Sequence, residues 1–314
     1  MDHYLALGIG LVLAGAGGEL FVRGLVGFAR WARVPAGIIG ATIAAFATSS
    51  PELSVSVAAA LDGKPQIGLG DALGSNVVNV GLILGLALVT SNIVASRDSI
   101  RRDFPIAVLG PFLTSLLIVD GWLSRFDGFV MLGVFLVWLA AATVEARRRR
   151  SAAKDVLGER SHPLVVLSGL GGLAMLVAAG RLIVLGAKGV GEAFALDPFV
   201  VGATLVAIGT SVPELATTIV ARLRGHHEVA LGTILGSNIF NGFFIVAVAA
   251  IIHPIEIAWR AVAVALGFGV LVILFTIPAR GGLIPRRRGL ALLTLYVAYV
   301  VTVLRLGAPA GALE

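Results

Sequence analysis

The chain has no cysteine and few charged residues. Without cysteine it can form no disulfide and offers no thiolate ligand or thiol nucleophile. Only 13% of its 314 residues are charged and 58% are hydrophobic, whereas soluble domains carry about 25% charged residues. The mean hydropathy is +0.98. These values exclude an ordinary soluble domain and predict an all-α membrane protein that crosses the bilayer several times.

Ten apolar runs are long enough to span a bilayer, which takes about 20 residues each. They lie near residues 4–28, 36–60, 66–94, 104–120, 127–146, 163–190, 198–221, 229–252, 259–278 and 289–307. The net charge of +6 is not read as a nucleic-acid signal, because 17 of the 24 Lys and Arg residues fall in alternate loops. The positive-inside rule makes those loops cytoplasmic and places both termini outside a plasma or inner membrane.

The sequence also contains an internal duplication. Residues 40–81 align without a gap on residues 202–243, with about 19 of 42 positions identical at a shift of 162 residues. Each copy has five spans, so the second copy enters from the opposite side of the membrane. We therefore predict a first five-helix repeat at 1–146, a cytoplasmic loop at 147–162 and an inverted second repeat at 163–314. Inverted repeats that bind substrate at the midplane recur in secondary transporters.

The duplicated segment carries an acid inside an apolar span. Glu52 follows Thr48 by four residues and Ser49 by three, so one carboxylate and two hydroxyls share a helix face. Because Pro51 has no N–H, we expect a broken helix that leaves the carbonyl of Ala45 free. An acid in a membrane span indicates a functional site by default. The second copy has the same set in Thr210, Ser211, Pro213, Glu214 and the carbonyl of Ala207.

The third and eighth spans add hydroxyls and amides, each pair four residues apart. These are Ser75 and Asn79, and Ser237 and Asn241. Asn76 and Asn238 directly follow Ser75 and Ser237, so their side chains point about 100° away around the helix, and we expect them to brace neighbouring helices. Carboxylates, hydroxyls, amides and carbonyls together form the all-oxygen shell that Ca²⁺ prefers. For any single hydroxyl the alternative is a bond to the carbonyl one turn earlier.

ATSSPEL with GSNVVN, and GTSVPEL with GSNIFN, resemble the two alpha-repeats of the sodium/calcium exchanger family in its prokaryotic form, within the cation/Ca²⁺ antiporter superfamily. The resemblance implies Na⁺-driven Ca²⁺ movement, with extrusion as the expected direction. It implies alternating access, in which the first and sixth helices slide across the other eight. It implies no prosthetic group and a monomer as the functional unit. The implied ligands are Thr48, Ser49, Glu52, Ser75, Asn79, Thr210, Ser211, Glu214, Ser237, Asn241 and the carbonyls of Ala45 and Ala207.

Several alternatives remain open at this point. A proton-coupled Ca²⁺ antiporter could use the same two glutamates, and Asn241, where some family members have Asp, leaves stoichiometry and K⁺ co-transport undecided. A cation channel fits the central acids, but broken inverted repeats favour alternating access. No enzyme is expected, since the five His residues lie at predicted loops or span ends and no HExxH or GxSxG motif is present.

Two further hypotheses concern the acids. Asp71, Ser75 and Asn79 form one helical stripe, with Asp71 about 12 Å above Asn79. Asp71 either lines an outer vestibule that attracts cations or is a hydrogen-bonded acid at a packed helix start. Glu52 and Glu214, if they share a cavity, cannot both remain charged at low cost without a cation. We therefore expect protons to compete with cations, and transport to weaken at low pH.

Overall fold

A computed structural model of the protein describes residues 3–152, 162–191, 198–257 and 259–307. Within these residues twelve principal helices form ten membrane spans. They are α1 (His3–Ala32), α2 (Ala36–Thr48), α3 (Ser50–Leu61), α4 (Pro65–Thr90), α5 (Phe104–Leu117), α6 (Arg125–Ala152), α7 (His162–Gly191), α8 (Phe199–Thr210), α9 (Val212–Leu223), α10 (His227–Ile252), α11 (Trp259–Thr276) and α12 (Arg287–Gly307).

Every predicted span corresponds to one helix or to one bent pair of helices. By length and composition, five of the helices in the described ranges can cross a membrane singly, and the pairs α2–α3 and α8–α9 raise the number to seven. The other three spans are α1, α5 and α7. A π-helical turn at Ser99–Asp103 extends α5 at its start. Helix α6 continues to Ala152, inside the predicted loop 147–162. The rest of that loop, residues 153–161, lies outside the described residues.

The two bent pairs have nearly the same geometry. Helices α2 and α3 meet at 43° and helices α8 and α9 at 41°. The residue between each pair has almost the same backbone angles, φ −84° and ψ 11° at Ser49 and φ −80° and ψ 7° at Ser211. A proline near the start of α3 and of α9 accounts for both bends, because it removes one N–H from the helical ladder.

The prediction that the carbonyls of Ala45 and Ala207 are free is wrong. The N–H of Ser49 donates to the Ala45 carbonyl at 2.9 Å, and the N–H of Ser211 donates to the Ala207 carbonyl at 3.1 Å. Pro51 lies four residues after Ala47, so the carbonyl that loses its N–H donor is two residues later than expected. The Ser50 hydroxyl replaces it by donating to the Ala47 carbonyl at 2.9 Å.

Four π-helical segments lie near the bends, and none of them was predicted. They occupy Gly40–Ala44 and Val78–Leu84 in the first repeat and Gly202–Val206 and Phe240–Ile245 in the second. The shift of 162 residues relates each to its counterpart, so the duplication extends to local distortions of the helix. Single π turns inside α-helices often occur at functional sites.

Each repeat packs its bent pair against the long helix of the other repeat. Gly70 and Gly74 on α4 touch the backbone of Phe199 and Ala203 on α8. At the equivalent positions, 162 residues later, Gly232 and Gly236 on α10 touch the backbone of Gly37 and Ala41 on α2. A Cβ at any of these glycines would collide with main-chain atoms, so the absence of a side chain is what brings the two repeats together.

Two short antiparallel ladders also join the two repeats, one at each end of the molecule. Strand β1 (Ile93–Val94) pairs with β4 (Leu283–Ile284), and β2 (Trp122–Leu123) pairs with β3 (Ile255–Glu256). Each ladder joins one strand from each repeat. Because α5 lies between β1 and β2 along the chain, the ladders lie on opposite sides of the bundle, as an inverted duplication requires.

The described hydrophobic core divides into one large and two small clusters. The large cluster draws on α2 to α6 and α8 to α12, and contains no residue of α1 or α7. Helices α1 and α7 pack on each other, with Gly17 against Gly172 and Gly24 against Gly169. They reach the rest of the protein through the smaller clusters, which include Phe21 and Leu176. Helices α1 and α7 thus form a separate layer beside the eight-span bundle.

Candidate cation-binding site

The predicted site residues converge where the two bends meet α4 and α10. Their side chains are almost completely buried, with no more than 2% of the surface exposed for any of them. They are Thr48, Ser49, Glu52, Ser75, Asn79, Thr210, Ser211, Glu214, Ser237 and Asn241. The carbonyls of Ala45 and Ala207 lie one turn before the bends. Four elements from two repeats therefore supply the oxygens predicted from the sequence.

The two glutamates are linked crosswise through serines. Ser49 of the first repeat donates its hydroxyl to Glu214 Oε1 at 2.8 Å, and Ser211 of the second repeat donates to Glu52 Oε1 at 3.5 Å. Ser237 also donates to Glu214 Oε1, at 3.2 Å. Each carboxylate thus reaches into the bend of the other repeat. Both acids are fully buried in one cluster of polar side chains, called the chamber below, and do not face lipid.

Several buried polar atoms in this chamber have no hydrogen-bond partner among the described residues. They include the second oxygen, Oε2, of both Glu52 and Glu214, the side-chain oxygen of Asn79 and both side-chain polar atoms of Asn241. Buried polar atoms are nearly always paired, and leaving one unpaired costs about 1–3 kcal/mol. The orphaned oxygens therefore fit a cation as their missing partner.

The two bracing asparagines behave as the sequence predicted. Asn76 donates its amide to the Asn238 carbonyl at 3.2 Å, and Asn238 donates to the Asn76 carbonyl at 3.1 Å. These reciprocal bonds join α4 to α10 across the pseudo-twofold axis. Asn79 donates to the side-chain oxygen of Asn238 at 3.1 Å, which orients the Asn79 amide within the chamber.

Asp71 lies beside this chamber and not in an outer vestibule. It is fully buried, and Thr210 of the other repeat donates its hydroxyl to Asp71 Oδ1 at 2.9 Å. Ser75 donates to the same oxygen at 3.4 Å. The vestibule hypothesis requires exposure and does not agree with this placement. The spacing of four residues between Asp71, Ser75 and Asn79 indicated that Asp71 lies on the same helix face as the candidate ligands. Its contact with Thr210, however, depends on how the repeats pack.

Acids alone do not make this site. Within the described ranges, no group of three His, Cys, Asp or Glu side chains is close enough to hold a metal ion. Any cation bound here must take most of its ligands from hydroxyls, amides and carbonyls. Such an all-oxygen environment suits hard cations such as Na⁺ and Ca²⁺.

Comparison with known proteins agrees with this arrangement. The sequence pattern of the family described as sodium/calcium exchanger protein matches residues 3–144 and 164–305. The chain belongs to the sodium/calcium exchanger family. The two matched stretches contain both repeats and all the candidate ligands, and they omit residues 145–163, where the predicted loop lies. This confirms the resemblance inferred from the duplicated motifs.

Comparison with individual proteins gives matches along most of the chain. The putative antiporter CaxA of Alkalimonas amylolytica is 35% identical over 258 residues, covering 78% of this chain and 79% of CaxA. The sodium/calcium exchanger MaX1 of Methanosarcina acetivorans is 29% identical over 95% of this chain and 97% of its own. The sodium-calcium exchanger NCX_Mj, in a structure soaked with Na⁺ and Sr²⁺, superposes with a TM-score of 0.81 at 29% identity, over 96% of this chain and 98% of its own.

Proposed function

We propose that this protein is a secondary antiporter that exchanges Na⁺ for Ca²⁺ by alternating access and extrudes Ca²⁺ from the cell. The observation that carries the proposal is the pair Glu52 and Glu214. Both are completely buried, each accepts a hydrogen bond from a serine of the opposite repeat, and each has one oxygen without a hydrogen-bond partner among the described residues. Two such acids are stable together when a cation neutralises them.

The charge of the pair matches its proposed cargo. Two carboxylates neutralise one Ca²⁺ or two Na⁺, so the two ions exclude each other by electrostatics as well as by space. We assign the remaining ligands to Thr48, Ser49, Ser75, Asn79, Thr210, Ser211, Ser237, Asn241 and the carbonyls of Ala45 and Ala207. Those carbonyls already accept one N–H each, but a carbonyl oxygen has a second lone pair for an ion.

The layered core supports alternating access. The large cluster holds the cation chamber, and α1 and α7 lie against it through smaller contacts. The described glycines on α1 and α7 mostly line the contact between these two helices, which lets the pair pack closely as one unit. We infer that this pair moves across the bundle to open the chamber to one side at a time. The chamber is built within a single chain, so a monomer is sufficient for the exchange cycle.

The proposed orientation places both termini outside the cell. The loops rich in arginine group at one end of the bundle with the β1–β4 ladder, and Glu256 lies in the ladder at the other end. This segregation supports the positive-inside assignment. It agrees with the repeat boundaries proposed from the sequence, at 1–146 and 163–314.

The deciding experiment is ⁴⁵Ca²⁺ uptake into proteoliposomes that contain the purified chain and an outward Na⁺ gradient. We expect the gradient to drive uptake, and Glu52→Gln and Glu214→Gln each to reduce it by about a hundredfold or more, since removing one partner of a buried charge pair costs about 3–5 kcal/mol. The exposed acid Glu256, changed to Gln, is the matched control and should transport like the wild type.

Three results would contradict the proposal. Uptake driven by a proton gradient and indifferent to Na⁺ would favour a proton-coupled antiporter, and uptake that also requires K⁺ would favour the K⁺-dependent type. Single-channel currents would indicate a channel. Normal exchange in the Glu52→Gln, Glu214→Gln double variant would remove the proposed site altogether.

A further inference from the structure

A line of polar side chains runs along α9 from the chamber to the end of the bundle that is proposed to be cytoplasmic. Thr218 follows Glu214 by four residues and Arg222 follows Thr218 by four more, so the three share one helix face. Thr217 lies beside them, three residues after Glu214. All four side chains are buried. This line, called the α9 stripe below, spans about 12 Å between Glu214 and Arg222.

The two threonines of the α9 stripe have unused hydroxyls. Neither Thr217 Oγ1 nor Thr218 Oγ1 has a hydrogen-bond partner among the described residues, although both side chains are fully buried. A threonine in a membrane helix usually donates to a carbonyl one turn earlier, as Thr114 does to Gly110 at 3.0 Å. Buried hydroxyls are nearly always paired. These two therefore suit a partner that passes through the protein, such as a cation with its water.

Arg222 closes the far end of the α9 stripe. Its Nε donates to the carbonyl of Ala87, near the end of α4, at 3.4 Å, and its Nη2 donates to the carbonyl of Asn92, just beyond α4, at 3.2 Å. Its Nη1 donates to the ring of His227, the first residue of α10. One guanidinium group thus ties the end of α9 to the end of α4 and to the start of α10.

The positive charge of Arg222 has no carboxylate partner in the described ranges of the chain. Its partners are two carbonyls and the imidazole of His227, which accepts the bond and is therefore neutral, because arginine can only donate. A buried charge without a counter-ion is costly, which indicates a function. A cation on the α9 stripe would be repelled by this group, so the path is open only after the guanidinium has moved aside.

The first repeat closes the corresponding region in a different way. Ser56 and Ala60 occupy the positions of Thr218 and Arg222. The Ser56 hydroxyl donates to the carbonyl of Gly68 at 3.2 Å, and a Cβ at Gly68 would collide with Ser56. Direct contact between helices therefore fills this region in the first repeat. Only in the second repeat does a charged side chain take this part.

We propose that Arg222 is the latch of a cytoplasmic ion path along the α9 stripe, and that it releases the carbonyls of Ala87 and Asn92 when the chamber opens to the cytoplasm. The inference rests on the proposed exchange by alternating access. Helix α1, which is inferred to move, packs against the same helix, with Gly18 against Ala216 of α9. Arg222 is a positioning residue, since it lies two helical turns from the cation ligands.

The test uses the absence of cysteine from the chain, which makes Thr218→Cys a single thiol on the α9 stripe. Its modification by a membrane-impermeant maleimide is followed in inside-out and right-side-out membrane vesicles, because a thiol reacts only when it is reached by the reagent. Adding Arg222→Met, which keeps the bulk of the side chain but removes its donors, should speed labelling from the cytoplasmic face about tenfold or more, because the loss of three hydrogen bonds shifts a two-state equilibrium by at least that factor. Labelling from the outer face should not change.

Ser56→Cys, at the equivalent position of the first repeat, is the matched control, and its labelling from the outer face should be the same with and without Arg222→Met. Arg222→Ala, which copies the first repeat, is a second variant if Arg222→Met folds poorly. Unchanged cytoplasmic labelling of Thr218→Cys in the folded Arg222 variants would overturn the latch alone, and an equal gain at both cysteine positions would do the same by showing general loosening. Labelling of Thr218→Cys from the outer face alone, with Arg222 intact, would overturn the cytoplasmic path. Failure of Na⁺-driven ⁴⁵Ca²⁺ uptake in the wild type would instead overturn the exchange function on which the path depends.

Discussion

The two repeats share a backbone but differ in charge. Their bends agree within a few degrees, at 43° and 41°, and the π-helical segments near the bends and the glycine contacts between the repeats correspond one to one. Yet Asp71 corresponds to Thr233, and the buried Arg222, which donates to the carbonyls of Ala87 and Asn92, corresponds to Ala60. The proposed alternating access needs the same backbone geometry in both repeats, whereas the side chains around the site differ between them.

The largest expected effect tests whether the shared backbone is required in both repeats. Gly236→Val and Gly74→Val each place side-chain atoms against the backbone of the opposite repeat, at Ala41 and Ala203. The main chain cannot yield as a side chain can, so we expect each change to destabilise the fold by more than about 3 kcal/mol. Thermal unfolding in detergent, followed by size-exclusion chromatography, measures this.

Gly133→Ala is the control for these glycine variants, since nothing lies within 4 Å of the position that its Cβ would occupy. We expect it to unfold like the wild type. If one repeat accepted valine and the other did not, the two interfaces would not be equivalent.

A loss of stability of intermediate size is expected when either bracing asparagine is replaced. Asn76→Ala and Asn238→Ala each leave a buried carbonyl of the partner residue without its donor, which costs about 1–3 kcal/mol. Asn238→Ala should be the more damaging, because it also removes the acceptor of the Asn79 amide. Thermal stability of both single variants and of the double variant gives their coupling. An equal or larger loss in Asn76→Ala would show that the bond from Asn79 adds nothing.

The smallest effect concerns an ion pair between the repeats. Glu19 on α1 accepts hydrogen bonds from Arg224, and their side chains are 27% and 53% exposed. The equivalent sequence positions hold Arg181 and Asp62, so the signs are exchanged. We expect Glu19→Arg to lower stability by no more than about 1 kcal/mol, as for exposed pairs. Glu19→Arg with Arg224→Asp should recover only the part that comes from Arg224, because Glu19 also pairs with Arg23. Thermal unfolding at low and high salt checks both; a double variant weaker than the single one would contradict the pairing.

Much of this site could be predicted from residue spacing. The angle of about 100° per residue correctly separated the bracing Asn76 from Ser75. The three-residue and four-residue intervals predicted that the carboxylate of Glu52 lies with Ser49 and Thr48, but Ser49 donates to Glu214, and Glu52 accepts from Ser211. Such spacing rules are local to one helix. The prediction of a free carbonyl at Ala45 was wrong. A proline removes the N–H that would donate to the carbonyl four residues earlier, and for Pro51 that residue is Ala47. Counting from the missing N–H would have given the right carbonyl.

Contacts between the repeats could not be obtained from spacing. Nothing in the order of residues shows that Ser49 donates to Glu214, or that Thr210 reaches Asp71. Both bonds depend on the close approach of α4 to α8 and of α2 to α10, which the glycines permit but do not by themselves direct. The positions of the π-helical turns could not be obtained from residue spacing either.

The order of residues alone was sufficient for the ten spans, the inverted duplication and the list of candidate ligands, because hydropathy, charge in loops and helical periodicity act locally or along the chain. Tertiary structure alone decided which oxygens face each other across the pseudo-twofold axis and where Asp71 lies. The physical reason is that cation coordination needs oxygens from segments 162 residues apart to come within a few ångströms, and only the packing of one repeat into the other brings them together.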